Sequence, residues 1–274
     1  MSEQAPAFAV QDILDALALP EGCRVGQRVP KKLLLEQGAP TAADKRLVND
    51  CVEGIQWLAV LKPSTIGVPS YRDDKCEYLE IPVVSLTLRG LAEKPASALR
   101  LSERLHRVVP YPLLLLVQNG DHVLVTMVHK RWAQNEVGKV VLDGGLVSAS
   151  LPDAAAIGRS ASNPSAHALA ERAFVQSLSI SQQSQGSLYG LYQGWIDCVQ
   201  ALQAARLSGR YRIPATPEQA AASRQALAVC ERCEAEISRL QVQAVKEKQM
   251  ARRVALNLTL KRVQDELAAA RQQL

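Results

Sequence analysis

The chain has 274 residues, enough for one large domain or one domain with an appendage. Hydrophobic residues make up 47% and charged residues 22%, ordinary globular usage, but aromatics only 4%; the core must rest on Leu, Val, Ile and Ala, and a single-strand nucleic-acid platform of stacked aromatics is disfavoured. The formal charge of +5 is uneven: residues 201–274 hold 13 Lys/Arg against 7 Asp/Glu, a net of +6, which leaves the first 200 residues at −1. An acidic or nucleic-acid partner is therefore to be sought on the C-terminal arm.

Met1 to Ala9 lacks a cationic leader, and the apolar stretch after it carries Asp12 and Asp15, so no signal peptide is expected. The most apolar run, Val108 to Val117, is too short to span a bilayer and contains Pro110 and Pro112. Six cysteines without a secretory signal read as reduced thiols, and the expected location is the cytoplasm.

Val10, Ile13, Leu14, Leu17 and Ala18 have the spacing of an amphipathic helix, stopped by Pro20 and Gly22. Val29 to Leu33 is expected to be extended around Pro30. Thr41, with Asp44 three residues on, predicts the N-cap of a helix reaching roughly Trp57 and burying Leu47, Val48, Cys51, Val52 and Ile55. Residues 77–89 alternate as a strand, with Pro82 suggesting an edge or a bulge. A helix over Ala96–Val108 follows, then a doubly covered strand over Tyr111–Val117. Asn119-Gly120 is a hairpin turn and His122–His129 its return strand. A strand over Lys139–Leu151 is expected to break at Gly144-Gly145. Ser, Ala, Asn and Gly at 158–166 suggest a loop before helices near 164–180 and 187–207.

From about Pro217 to Leu274 there is no Pro or Gly after the first residue, and the chain predicts one long helix. Apolar positions step by four and three from Ala226 through Cys230, Cys233, Ile237 and Leu240 to Ala244, and again from Leu256 through Leu260, Val263, Leu267 and Ala270 to Leu274. The phase slips near Val254, so a change of packing partner is expected there, the second half meeting another chain. The fold class is α/β (α+β): an N-terminal domain with a small mixed sheet (1–151), a helical subdomain (152–215) and a C-terminal coiled-coil helix (216–274).

Cys230-x-x-Cys233 is half of a zinc spacing, but it lies on the helical seam and reads as core. His106 falls near a helix end, where a cation is favoured, and His129 at the end of a strand. The acidic cluster Asp73, Asp74, Glu77 and Glu80, with Glu53 on the preceding helix, could serve a magnesium-dependent nuclease, yet Glu77-x-Leu79 and Glu80-x-Pro82 lack the lysine such a site needs. A solvated loop entering a strand is the plainer reading. No phosphate-binding glycine loop is present. On the last helix Lys246, Lys248, Arg252, Arg253, Asn257, Lys261 and Arg262, relieved only by Glu247, are the candidate residues for contact with DNA or a protein partner.

Three stretches carry a family resemblance: Val29-Pro30-Lys31-Lys32 with Leu33 to Glu36; Asp44-Lys45 through Ile55-Gln56-Trp57 to Leu61-Lys62-Pro63-Ser64-Thr65-Ile66; and Glu247 to Asn257. Together they resemble a bacterial family of uncharacterised domains. The resemblance implies a gene neighbourhood of helicases and DNA methyltransferases in phage-defence islands, hence a helicase-type ATPase or a methyltransferase as partner, and it transfers no catalytic residue. Met250 and Ala251 stand where the family commonly shows an aromatic and a polar residue, and Ala255 where it often shows Glu. The expectation is a non-catalytic accessory subunit without a cofactor, or a homo-oligomeric scaffold; the alternative is a nuclease subunit using Mg.

Overall fold

A computed structural model describes residues 8–90, 95–134, 136, 138–152 and 164–274, with backbone alone for 164–166. The expected loop at 158–166 lies almost wholly outside them. The chain divides into two compact units, Met1–Val199 and Gln200–Leu274.

The first unit is built on a six-stranded mixed sheet in the order β1-β2-β5-β6-β7-β8. Its strands are β1 (Arg24–Arg28), β2 (Val52–Leu61), β5 (Ile81–Leu88), β6 (Leu114–Asn119), β7 (His122–Trp132) and β8 (Val140–Leu151); β3 (Tyr71–Arg72) and β4 (Glu77–Tyr78) form a separate small hairpin. Every neighbouring pair is antiparallel except β5 and β6, which run parallel and need a crossover helix between them, α5 (Pro95–Val108). The short helices before it are α1 (Val10–Ala16), α2 (Lys31–Leu33), α3 (Ala42–Cys51) and α4 (Pro63–Ile66); after it come α6 (Pro164–Ser177) and α7 (Leu188–Ser208).

The middle of the sheet is covered on both faces, so β5 and β6 are apolar nearly throughout rather than alternating. One core joins Leu34, Val48, Val52 and Ile55 to Leu86, Leu101, Leu105, Leu115 and Val117, which brings the first two stretches of the family resemblance together. Thr41 caps α3 as expected: its hydroxyl accepts the Asp44 N–H at 3.1 Å. Asp44 is itself buried, facing Arg100 at 2.8 Å and Arg104 at 3.4 Å across from α5. The Thr41 hydroxyl, with the two guanidiniums, holds its carboxyl below the usual 3.8 against the opposing effect of burial.

Four local expectations are corrected. Helix α3 ends at Cys51, and Val52, Ile55 and Trp57 instead lie in β2 between β1 and β5; β-branched and aromatic side chains there fit a pleated surface better than a helix. Of the two alternatives at Pro82, the edge is corrected and the bulge is met: Pro82 stands in an interior strand opposite Val60, next to a register shift at Trp57–Ala59. Pro30 is extended, but the chain coils from Lys31, whose ammonium donates to the Val52 carbonyl. Strand β8 runs unbroken past Gly144-Gly145, absorbing them as a bulge opposite Val128, with Gly144 at φ 84°. The Asn119-Gly120 hairpin is as expected, Asn119 pairing with His122 and Gly120 taking φ 61°.

Candidate partner interface

The second unit holds α8 (Pro217–Lys246) and α9 (Met250–Arg271), the two halves of what the sequence predicts as one helix. Thr216 caps α8, accepting the Gln219 N–H at 3.3 Å, and Pro217 takes the first helical position. At Glu247 and Gln249 the backbone becomes extended, with ψ of 123° and 120°, and the chain reverses. No Gly or Pro marks the turn. The Glu247 carboxylate accepts the Gln249 N–H at 2.8 Å, which places a negative charge at the start of α9, where the helix dipole favours it.

Reversal lets the two predicted seams meet each other. Cys230 and Cys233 pack against Leu267 and Ala270, with Ile237, Val263 and Leu274 at the margins. The second half of the arm is thus covered by the first half, which corrects the expectation that its seam meets another chain. The cysteines are core residues, and burial raises the Cys230 thiol. Arg232 pairs with Glu266, and Arg271 with Glu234 at 2.9 Å, fastening the helices at their edges.

The tip of this hairpin has a different character. Five of the eleven large hydrophobic side chains exposed among the described residues lie there: Val242, Val245, Met250, Val254 and Leu258. Val254 and Leu258 each stand two residues before the seam positions Leu256 and Leu260, about 200° round the helix. Helix α9 therefore has two apolar faces, one turned to α8 and one to solvent. The seven residues singled out from sequence, Lys246, Lys248, Arg252, Arg253, Asn257, Lys261 and Arg262, are all exposed. Among the described residues, none of those six cations has a carboxylate within ion-pair distance, whereas Arg232, Arg239 and Arg271 of the same hairpin do. A cleft of about 530 Å³ opens at the tip, with Lys246 and Arg252 on its rim and Leu256 in its wall.

The acidic cluster is not drawn together into a site. Asp73 makes the turn between β3 and β4, accepting from the N–H groups of Lys75 (2.8 Å) and Cys76 (2.7 Å) and from the Tyr71 hydroxyl (2.9 Å). Those bonds, the Cys76 and Lys75 amides first, hold its carboxyl down to about 2. Glu77 pairs with Arg72 at 3.3 Å, Glu80 with Lys62 at 3.1 Å, and Asp74 is exposed. Glu53 lies on strand β2, not on a helix. Among the described residues no group of three or more His, Cys, Asp or Glu side chains is placed to hold a metal ion.

Two polar arrangements in the first unit escaped the sequence reading. Lys130 is only 4% exposed, and its ammonium donates to the carbonyls of His106 (2.6 Å) and Val109, the free C-terminal end of α5. Burial without a counter-ion lowers it from 10.5 to about 7. His106, expected to carry charge at a helix end, is fully buried beside it; burial first, then the Lys130 charge, pushes it down to about 3, so it is neutral. The signal was present: on β7 the period of two sets Lys130 on the face of Thr126 and Val128.

The second arrangement gathers four of the six tyrosines. Tyr78, Tyr189 and Tyr192 lie round His129 and Tyr71 lies against Tyr189, with ring centroids 4.9–6.0 Å apart in the contacting pairs. The Tyr78 hydroxyl donates to Nδ1 of His129, Nε2–H donates to Gln193 Oε1 at 2.8 Å, and Gln193 donates to Asp197 at 2.8 Å. The Tyr192 hydroxyl accepts the Val128 N–H and lies 2.9 Å from the Leu113 carbonyl. The imidazole ties α7 to the sheet through Nε2 and the small β3–β4 hairpin to it through Nδ1, which makes the cluster a clamp.

No helix of the described residues is long and apolar enough to cross a membrane. The chain belongs to the family described as a domain of unknown function (DUF4391), whose model matches residues 17–267. No curated protein and no solved structure matches it.

Proposed function

We propose that the chain is a non-catalytic accessory subunit of a bacterial anti-phage or restriction-type DNA-processing complex in the cytoplasm, docking on a helicase-type ATPase or a DNA methyltransferase. The supporting observation is the hairpin tip, where six cations without carboxylate partners surround exposed aliphatic side chains. Charge without a partner and hydrophobic surface without a cover mark a recognition surface rather than a solvated face. The four-and-three seam of α8 and α9 supports reading them as a short antiparallel coiled coil that presents this surface.

Affinity capture of the full chain from its native cells tests the reading. Wild type should retain a helicase-type or methyltransferase partner, and the combined Lys246→Glu, Lys248→Glu, Arg252→Glu and Arg253→Glu variant should lose it. Truncation near Ala244 is a poorer test, because it strips Leu267 and Ala270 from the Cys230–Cys233 seam. Equal retention by the charge-reversed chain would remove the tip from the docking role.

A further inference from the structure

The outer face of α9 is continuous. Met250, Val254, Leu258 and Arg262 step by four, and Arg253, Asn257 and Lys261 form a second such row three residues on, so that the two rows share one side of a helix. All seven are exposed, with Leu258 at 67%, Met250 at 65% and Val254 at 51%. The aliphatic stripe Met250–Val254–Leu258 runs up the middle, and cations stand along it and beyond its end. Between Met250 and Arg262 no acidic residue lies on the face; Asp265, the next position at the same steps, closes it at the far end, and Glu247, the nearest acid before it, is held in the turn by the Gln249 N–H.

We infer that this face receives an amphipathic acidic helix of a partner protein, which lies along α9 and turns the two-helix hairpin into a three-helix bundle. The inference rests on the docking reading above and gives it a chemistry. Aliphatic side chains at i, i+4 and i+8 are the anchors used when one helix packs on another. Arg253, Lys261 and Arg262 flank those anchors, where carboxylates of the incoming helix at heptad edge positions would meet them. A nucleic-acid backbone would use the cations but gain nothing from the stripe, since phosphate is strongly hydrated and offers no apolar surface. A second copy of the chain, pairing face to face about a two-fold axis, would bring two faces together that each carry Arg253, Lys261 and Arg262, positive against positive.

The test uses the full chain and a fluorescein-labelled peptide with Leu at the a and d positions and Glu at the e and g positions of its heptads. A scrambled peptide of the same composition and a short DNA duplex are the comparison arms. By anisotropy, the amphipathic peptide should bind at least about tenfold more tightly than the scrambled one. Leu258→Ser should weaken it by about tenfold or more, and Arg253→Gln with Lys261→Gln should weaken it and flatten its salt dependence. Circular dichroism should show unchanged helicity in these variants, since the side chains replaced are exposed.

Equal binding of the scrambled peptide, or no effect of Leu258→Ser, would overturn the inference. So would duplex binding that needs the cations but ignores Leu258, or a concentration-dependent dimer abolished by Leu258→Ser. The two readings fail separately. Peptide binding without capture of a helicase-type or methyltransferase partner would remove the assembly role and leave this face intact. Capture of such a partner with no peptide binding would do the reverse.

Discussion

Replacing Lys130 with Met should change how the first unit's stability depends on pH. In the folded chain the ammonium is buried against two helix-end carbonyls with its pKa lowered from 10.5 to about 7. Above about pH 7 the folded chain leaves this amine neutral while the unfolded chain keeps it protonated, so unfolding takes up a proton and stability rises with pH. Below pH 7 both states are charged and the full cost of burial is present; above 10.5 both are neutral and it is gone. Between pH 6 and pH 9 the linkage gives the wild type about 3 kcal/mol that Lys130→Met lacks, from a total of about 5 kcal/mol set by the whole shift. The offset between the two proteins at any one pH also contains the two lost hydrogen bonds, but the slope does not. Urea unfolding followed by tryptophan fluorescence reads it, because Trp57, Trp132 and Trp195 all lie in the first unit. A wild-type-minus-variant difference that stays flat from pH 6 to 9 would refute the assignment of a buried, uncompensated ammonium.

Thr41→Ala should cost about 1 kcal/mol by removing the cap of α3, read as a lower urea midpoint for the first unit. Because the folded pKa of Asp44 lies below 3.8, its ion pairs stabilise the fold above that pH and the contribution fades as pH falls through the folded value. The gap between wild type and Asp44→Asn should therefore close in acid, and a constant gap would count against the pairing. Leu267→Ala opens the seam over Cys230 and Cys233 and should destabilise the hairpin by about 2–3 kcal/mol, visible as an earlier loss of helical signal on heating. Purified chain with magnesium or manganese should leave supercoiled plasmid intact. Cleavage that disappears in Asp74→Ala and Glu80→Ala would restore the nuclease alternative and end the accessory reading.

How much of this was legible in the residues varied with the range of the interaction responsible. The Thr41 cap, the Asn119-Gly120 hairpin and the doubly covered strand before it were readable because each is decided within a few residues. The end of α3 was not: Val48, Val52 and Ile55 continue a helical spacing, and only pairing with β1 and β5 makes the last two strand residues. The break was legible only as a slip in the apolar pattern near Val254, several residues past the turn at Glu247, and not as a reversal, since nothing there forbids a helix and the gain comes from the seams closing on each other. The candidate cations were legible from charge alone. The aliphatic stripe among them became visible once the inner seam of α9 had been assigned, because until then Met250, Val254 and Leu258 competed for the same interior.

A helix with two greasy sides has a cost when its second side stays uncovered. Chains made in excess of their partner would carry an adhesive strip of Met, Val and Leu beside a positive fringe, a surface suited to chaperone holdases and to proteolytic surveillance. Chains already assembled would hide it. On the docking reading the same strip would also regulate supply: orphan copies would be removed, and steady-state abundance would follow that of the complex.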